Sequence, residues 1–144
     1  MFLPLIHILF PKSMTTAIPT IAVFPEEKLT LDQKIEKWVW QLCQSLEENY
    51  KLKYPNSCSD LEFKMQLGRK YWKIMQWNYH DFDKTSFSES VHAFIDKNTG
   101  EVYKPASWRG PTKIVRFDLR LIKDRENLHD PRFTDWAGGY LYLR

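Results

Sequence analysis

The stretch Val91-His-Ala-Phe-Ile-Asp-Lys-Asn-Thr-Gly-Glu-Val-Tyr-Lys-Pro-Ala-Ser-Trp108 decides the fold. Val91, Ala93 and Ile95 alternate with His92 and Phe94, the period of two that puts successive side chains on opposite faces of a strand. Val102 and Tyr103 begin a return strand. Between them Asp96-Lys-Asn-Thr-Gly100 carries turn chemistry: an aspartate whose carboxylate accepts amides two residues on, and a glycine free to take positive φ at a bulge. The segment therefore reads as an antiparallel β-hairpin. Pro105 has no amide to give a neighbour, so the return strand is an edge or ends there.

On the N-terminal side, Thr30 and Gln33 form a Thr-x-x-Gln capping box. Leu31, Ile35, Trp38, Val39, Leu42, Leu46 and Tyr50 then recur at helical spacing, which predicts one amphipathic helix over 30–51. Trp40 lies off this stripe and is expected at the surface. The helix should stop before Pro55. Residues 69–79 are aromatic-rich, with Trp72 and Ile74 on one side and Tyr71, Met75 and Trp77 on the other, a strand pattern. His80 to Glu89 reads as a loop. Residues 111–122 carry two patterns: Pro111 suits a first helical turn, while Val115, Phe117, Leu119 and Leu121 alternate as in a strand. A helical start leading into an extended segment is expected, with a short final strand in Asp135–Arg144. The prediction is an α+β domain over 26–144. It has one long amphipathic helix on a small antiparallel sheet of three to four strands, with a short additional helix.

At 144 residues the chain is the size of one domain and can bury a core without disulfides or metals. Residues 1–25 hold four prolines and read as a flexible or loosely docked tail. The apolar run 1–10 is too short to span a bilayer. It also reads poorly as a secretory signal, because Lys12 follows it rather than preceding it. Met14 opens a plainer start, so residues 1–13 are expected to precede the true first codon. Cys43 falls on the apolar side of the helix and Cys58 in a polar loop. No zinc-type spacing is present, and a reducing cytoplasm fits.

Chemistry is sparse. There is no Gly-rich phosphate loop and no nucleophile elbow. Asp81 and Asp83 share a loop, where two carboxylates are more often solvated than cation-binding. His92 could form an acid/base pair with Glu89 or Glu101 if the fold joined them; a histidine simply placed on a strand face is the more common case. No catalytic residue, metal or cofactor is assigned. Charge is more informative. The net charge is +3, and it divides unevenly: residues 1–63 carry −2 and residues 64–144 carry +5. Six Trp, seven Tyr and nine Phe exceed what a minimal core needs, so some should meet a partner. The candidate binding surface is Lys104, Trp108, Arg109, Lys113 and Arg116, where cations interleave with an aromatic. The structural alternative is that Trp108 plugs the open end of the sheet.

The hairpin His92–Trp108, the Gly-Pro-x-Lys-x-Val-Arg pattern of residues 110–116, Gly68-Arg-Lys-Tyr-Trp-Lys-Ile74 and Trp136-Ala-Gly-Gly-Tyr-Leu-Tyr142 together resemble a family of small proteins of tailed phages. The phages are notably those infecting marine cyanobacteria. The resemblance covers roughly residues 35–144, and the first 25 residues depart from it. It implies a phage product acting in the cytoplasm of an infected bacterium and carries over no catalytic residue. The leading expectation is a non-catalytic factor that engages a host protein. The alternatives are a nucleic-acid-binding accessory protein, acting through Lys104–Arg116, and a minor virion component. No membrane partner is expected.

Overall fold

The computed structural model describes residues 20–57, 60–81 and 83–143. Residues 1–19 and Cys58 lie outside them, and so do the expectations placed there. The order of elements is a long helix, five strands and a short helix: α1 (Leu31–Lys53), β1 (Leu61–Leu67), β2 (Tyr71–Tyr79), β3 (Phe87–Asp96), β4 (Glu101–Pro105), β5 (Pro111–Asp118) and α2 (Ile122–Leu128). The strands form one antiparallel meander in the order β1-β2-β3-β4-β5. The α+β class holds, with one long helix and one short one. The sheet has five strands, not three to four.

The capping box forms as the sequence predicts. Thr30 Oγ1 accepts the Gln33 amide and Gln33 Oε1 accepts the Thr30 amide. This satisfies two of the amides that a helix start leaves unpaired. The helix ends with Tyr54 as its C-cap, before Pro55. The stripe runs from Ile35 through Trp38, Val39, Leu42, Cys43 and Leu46, all buried, whereas Leu31 is exposed. Trp40 is half-buried rather than exposed. The stripe packs on Leu61, Phe63, Ile74, Ala93, Ile95 and Val102, which supply the inner face of the sheet. Leu119, Leu128, Tyr140 and Leu141 close the core.

The turn after β3 behaves as its chemistry requires. Asp96 Oδ1 accepts the amides of Asn98 and Thr99, and Gly100 has φ +80°. A Cβ on Gly100 would stand 3.3 Å from Leu119 Cβ and 3.5 Å from Ile35 Cγ1, so glycine serves both backbone and packing there.

Three expectations are corrected, and one segment left without an assignment proves to be a strand. Leu61-Glu-Phe-Lys-Met-Gln-Leu67, unassigned from the sequence, is a strand paired along its whole length with β2. Residues 87–89 belong to β3 rather than to a loop, since they pair with the end of β2. Pro111 begins a strand, not a helical turn: β5 pairs with β4, and the helix comes later, at Ile122. The tail makes a 3-10 turn at Gly139–Leu141 instead of a strand. That turn buries Tyr140 and Leu141, which an exposed edge strand would leave half-wet. The tail is fastened to α1 by polar contacts. Ser45 and Thr134 hydroxyls lie 2.7 Å apart, Asn49 Nδ2 donates to the Pro131 carbonyl, and the Trp136 amide donates to Asn49 Oδ1.

The helix and the tail cover one face of the sheet, and among the described residues no helix or strand lies over the other. Strand alternation puts Tyr71, Lys73, Met75, Trp77 and Tyr79 of β2 on that outer face.

Candidate binding recess

The five residues chosen from the sequence do not form one surface. Lys104 follows outward-facing Tyr103 and lies on the opposite side, its Nζ 4.8 Å from the Tyr142 ring centre. Arg116 is tied down: Nε donates to the Leu141 carbonyl and one guanidinium nitrogen donates to the Ile114 carbonyl. Lys113 is exposed on β5. Only Trp108 and Arg109 stay together, on the loop between β4 and β5. That loop is short because the amides of Ala106 and Ser107 both donate to the Gly110 carbonyl. Trp108 is 49% exposed, so it does not plug the sheet.

The loop carries these two residues toward the start of β2. The β1–β2 turn is tight, with the Gly68 amide donating to the Tyr71 carbonyl and Arg69 and Lys70 at its tip. Between turn and loop lies a recess of about 320 Å³, whose lining includes Arg69, Lys70, Lys73, Arg109, Tyr71 and Phe94. Four cations therefore line it, and among the described residues no carboxylate does. None of the four forms an ion pair with a described residue. Lys97 stands beside the turn, its Nζ donating to the Gly68 carbonyl. Asp96 is across from Tyr71 in register, but it is buried and its Oδ1 is engaged by the Asn98 and Thr99 amides. Its charge is directed to its own turn.

Aromatic rings surround the cations. Lys73 Nζ sits 4.5 Å from the Trp108 ring centre and 5.7 Å from that of Phe94. Tyr71 meets Phe94 edge-on at 5.8 Å and Tyr103 at 6.0 Å. Lys70 Nζ is 5.4 Å from the Tyr71 ring. A cation over a ring face gains about 0.5–1 kcal/mol at an exposed site. That is weak enough for an incoming anion to compete for the lysine.

Arg69, Lys70 and Lys73 were missed from the sequence. Their signal was the alternation Arg69-Lys-Tyr-Trp-Lys73, which puts Tyr71 and Lys73 on one face two residues apart. The family match covers residues 22–143, almost the whole described fold. The chain belongs to DUF7717, a family of unknown function. No curated protein and no solved structure matches it.

The other candidates are structural in this DUF7717 fold. His92 is buried, with Nε2 2.8 Å from Tyr140 Oη. Burial drives its pKa down to about 4, against a smaller opposing pull from Asp135, so the ring is neutral at pH 7. Glu89 lies across from Trp77 on the outer face, and Glu101 accepts a hydrogen bond from the Thr99 hydroxyl. Neither joins His92. Asp81 and Asp83 both accept from Thr85 Oγ1, and Asp81 also takes the Thr85 and Ser86 amides. They stitch the β2–β3 connection. Cys43 is buried, and burial together with nearby Glu47 pushes its thiol well above the usual range. Among the described residues no group of three or more His, Cys, Asp or Glu is placed to hold a metal ion. No described helix is long and apolar enough to cross a membrane.

Proposed function

We propose that this chain is a non-catalytic binding protein whose recess grips the phosphates of a nucleic acid. The observation that carries the proposal is the lining: Arg69, Lys70, Lys73 and Arg109 converge with no carboxylate among them, beside exposed Trp108. Unpaired cations in a concave site attract polyanions and release their counterions. Ring faces at the same place accept bases without reading sequence. This favours the nucleic-acid alternative over a host-protein partner. Protein hot spots centre on apolar pockets that exclude water, whereas this recess is charged and open. The resemblance to tailed-phage proteins supplies a setting, the cytoplasm of an infected bacterium, where phage and host nucleic acids are both present.

The test is fluorescence anisotropy with labelled mixed-sequence DNA and RNA at low and rising salt. Four phosphate contacts give a slope of log K against log salt of about −3, at about −0.7 to −0.9 per phosphate. Arg69→Ala combined with Arg109→Ala should flatten that slope by about half. Absence of binding at low salt, or a slope unmoved by the double variant, overturns the proposal. Capture of a protein from nuclease-treated bacterial lysate that depends on Trp108 and Arg109 would establish the host-protein reading instead.

A further inference from the structure

We infer, resting on the nucleic-acid reading of the recess, that the ligand is a single strand. It runs along β2 from the recess to a second aromatic step formed by Trp77 and Phe87. The outer face has two aromatic clusters. At the far end Trp77 and Phe87 stack at 4.6 Å with their planes only 11° apart, and Phe87 is 42% exposed. Tyr79 leans on Phe87 at 5.7 Å. Lys64 Nζ lies 4.5 Å from the Trp77 ring centre and Lys84 Nζ 5.0 Å from that of Tyr79. Tyr71 and Trp77 sit on one strand and one face, six residues apart, or about 20 Å at the rise of an antiparallel strand.

The two ends differ in charge. Among the described residues, the charged side chains that line the recess are all cations. At the far end Glu62 and Glu89 flank Trp77 on the neighbouring strands. Glu62 accepts from Tyr79 Oη and lies 3.7 Å from Lys64, while Lys84 pairs with Asp60 at 3.3 Å. That end offers the exposed ring of Phe87, backed by Trp77, with its cations already paired. The recess therefore holds phosphate and the far step holds a base. A duplex cannot use either ring face, because its bases are already stacked inside. An unpaired strand can splay its bases onto both. At about 3.4 Å per nucleotide for a stacked strand, the gap holds about six nucleotides, and fewer if the strand is extended.

The test is anisotropy with labelled oligothymidylates of about two, four, six and ten nucleotides, and a mixed-sequence duplex, at about 50 mM salt. Affinity should climb to about six nucleotides and then level, with the duplex weaker than the longest oligomer. Phe87→Ala should weaken the ten-nucleotide probe about tenfold, leave the two-nucleotide probe unchanged and leave the salt slope unchanged. Phe87→Leu keeps an apolar side chain without the ring and should give the same loss, which separates stacking from misfolding. A duplex bound as tightly as the ten-nucleotide strand overturns the inference and leaves the recess reading standing. So does a Phe87 loss equal at every length. Failure of every probe to bind removes both.

Discussion

Two ionisable groups under the sheet, buried His92 and half-buried Glu47, should push stability in opposite directions across the same pH window. His92 has an ordinary value of 6.5 and is driven down to about 4 by burial, which Asp135 only partly opposes. Below pH 6.5 the unfolded chain protonates this ring and the native chain does not. The unfolded state then binds more protons, so stability falls as pH drops from 6.5 to 4. The shift corresponds to about 3 kcal/mol, at about 1.4 kcal/mol per pKa unit. Glu47 has an ordinary value of 4.5 and is raised to about 7. Burial is the largest cause. The Phe63 amide, which donates to its Oε2 at 2.8 Å, opposes it. Nearby Glu62 raises it, and Lys51 and Lys64 lower it. Between pH 4.5 and 7 the native chain keeps this proton while the unfolded chain loses it, so stability falls as pH rises, again by about 3 kcal/mol. The two slopes oppose each other, and the wild-type profile over pH 4.5–6.5 should be flatter than either alone. Urea denaturation from pH 4 to 8 reads this directly. Glu47→Gln keeps an acceptor for the Phe63 amide, and His92→Gln keeps a partner for Tyr140. Wild-type stability minus that of Glu47→Gln should fall by about 3 kcal/mol from pH 4.5 to 7. The same difference for His92→Gln should rise by about 3 kcal/mol from pH 4 to 6.5. If either difference is flat, or has the other sign, the burial argument is wrong for that residue.

Other consequences are simpler to check. Thr30→Ala removes the acceptor for the Gln33 amide and should cost about 1 kcal/mol in chemical denaturation. Gly100→Ala puts a side chain at φ +80° and against Leu119 and Ile35; a loss of about 1–3 kcal/mol is expected, and a neutral result would mean that the turn relaxes freely. Asn49→Ala leaves the Trp136 amide and the Pro131 carbonyl without their partner and should release the tail, seen as faster amide exchange at residues 134–141 and a loss of about 2 kcal/mol.

The parts of the fold that were legible in the sequence are those fixed by local chemistry. Thr30 and Gln33 announce the start of α1, and Asp96 with Gly100 announces the hairpin turn. Each forms because its partners are only a few residues away. The elements that were misread depend on long-range pairing. Leu61–Leu67 alternates cleanly, but its status as a strand is secured by β2, and its inner residues by α1. Pro111 fits the first turn of a helix as well as it fits a strand. Pairing with β4 decides between them, and that pairing depends on the Trp108 loop turning the chain back on itself. Asp135–Arg144 reads as a short final strand, yet a 3-10 turn is selected there because it delivers Tyr140 to His92 and buries Leu141.

The site was half legible for the same reason. Searching for cations next to Trp108 in the sequence finds Lys104, Lys113 and Arg116. On a strand, however, adjacent residues point to opposite faces. Lys104 is therefore separated from Tyr103, and hence from the Tyr71–Phe94 cluster, by the alternation that makes β4 a strand. Arg116 is consumed by the carbonyls of Leu141 and Ile114, because the tail passes beside it. The cations that do meet Trp108 and Arg109 come from 35 to 40 residues earlier in the chain, on the turn and first residues of β2. Register brings them there: Lys73 faces Phe94 across β3, and Phe94 faces Tyr103 across β4. Each step keeps the side chains on the outer face. The meander thus gathers two basic-aromatic segments that are each ordinary alone. This predicts that function should be more sensitive to Lys73 than to Lys104. Lys73→Ala should weaken nucleic-acid binding at low salt several-fold and flatten its salt slope by about 0.7. Lys104→Ala should leave both unchanged. The reverse ranking would mean that sequence proximity, not the outer face of the sheet, defines the binding surface.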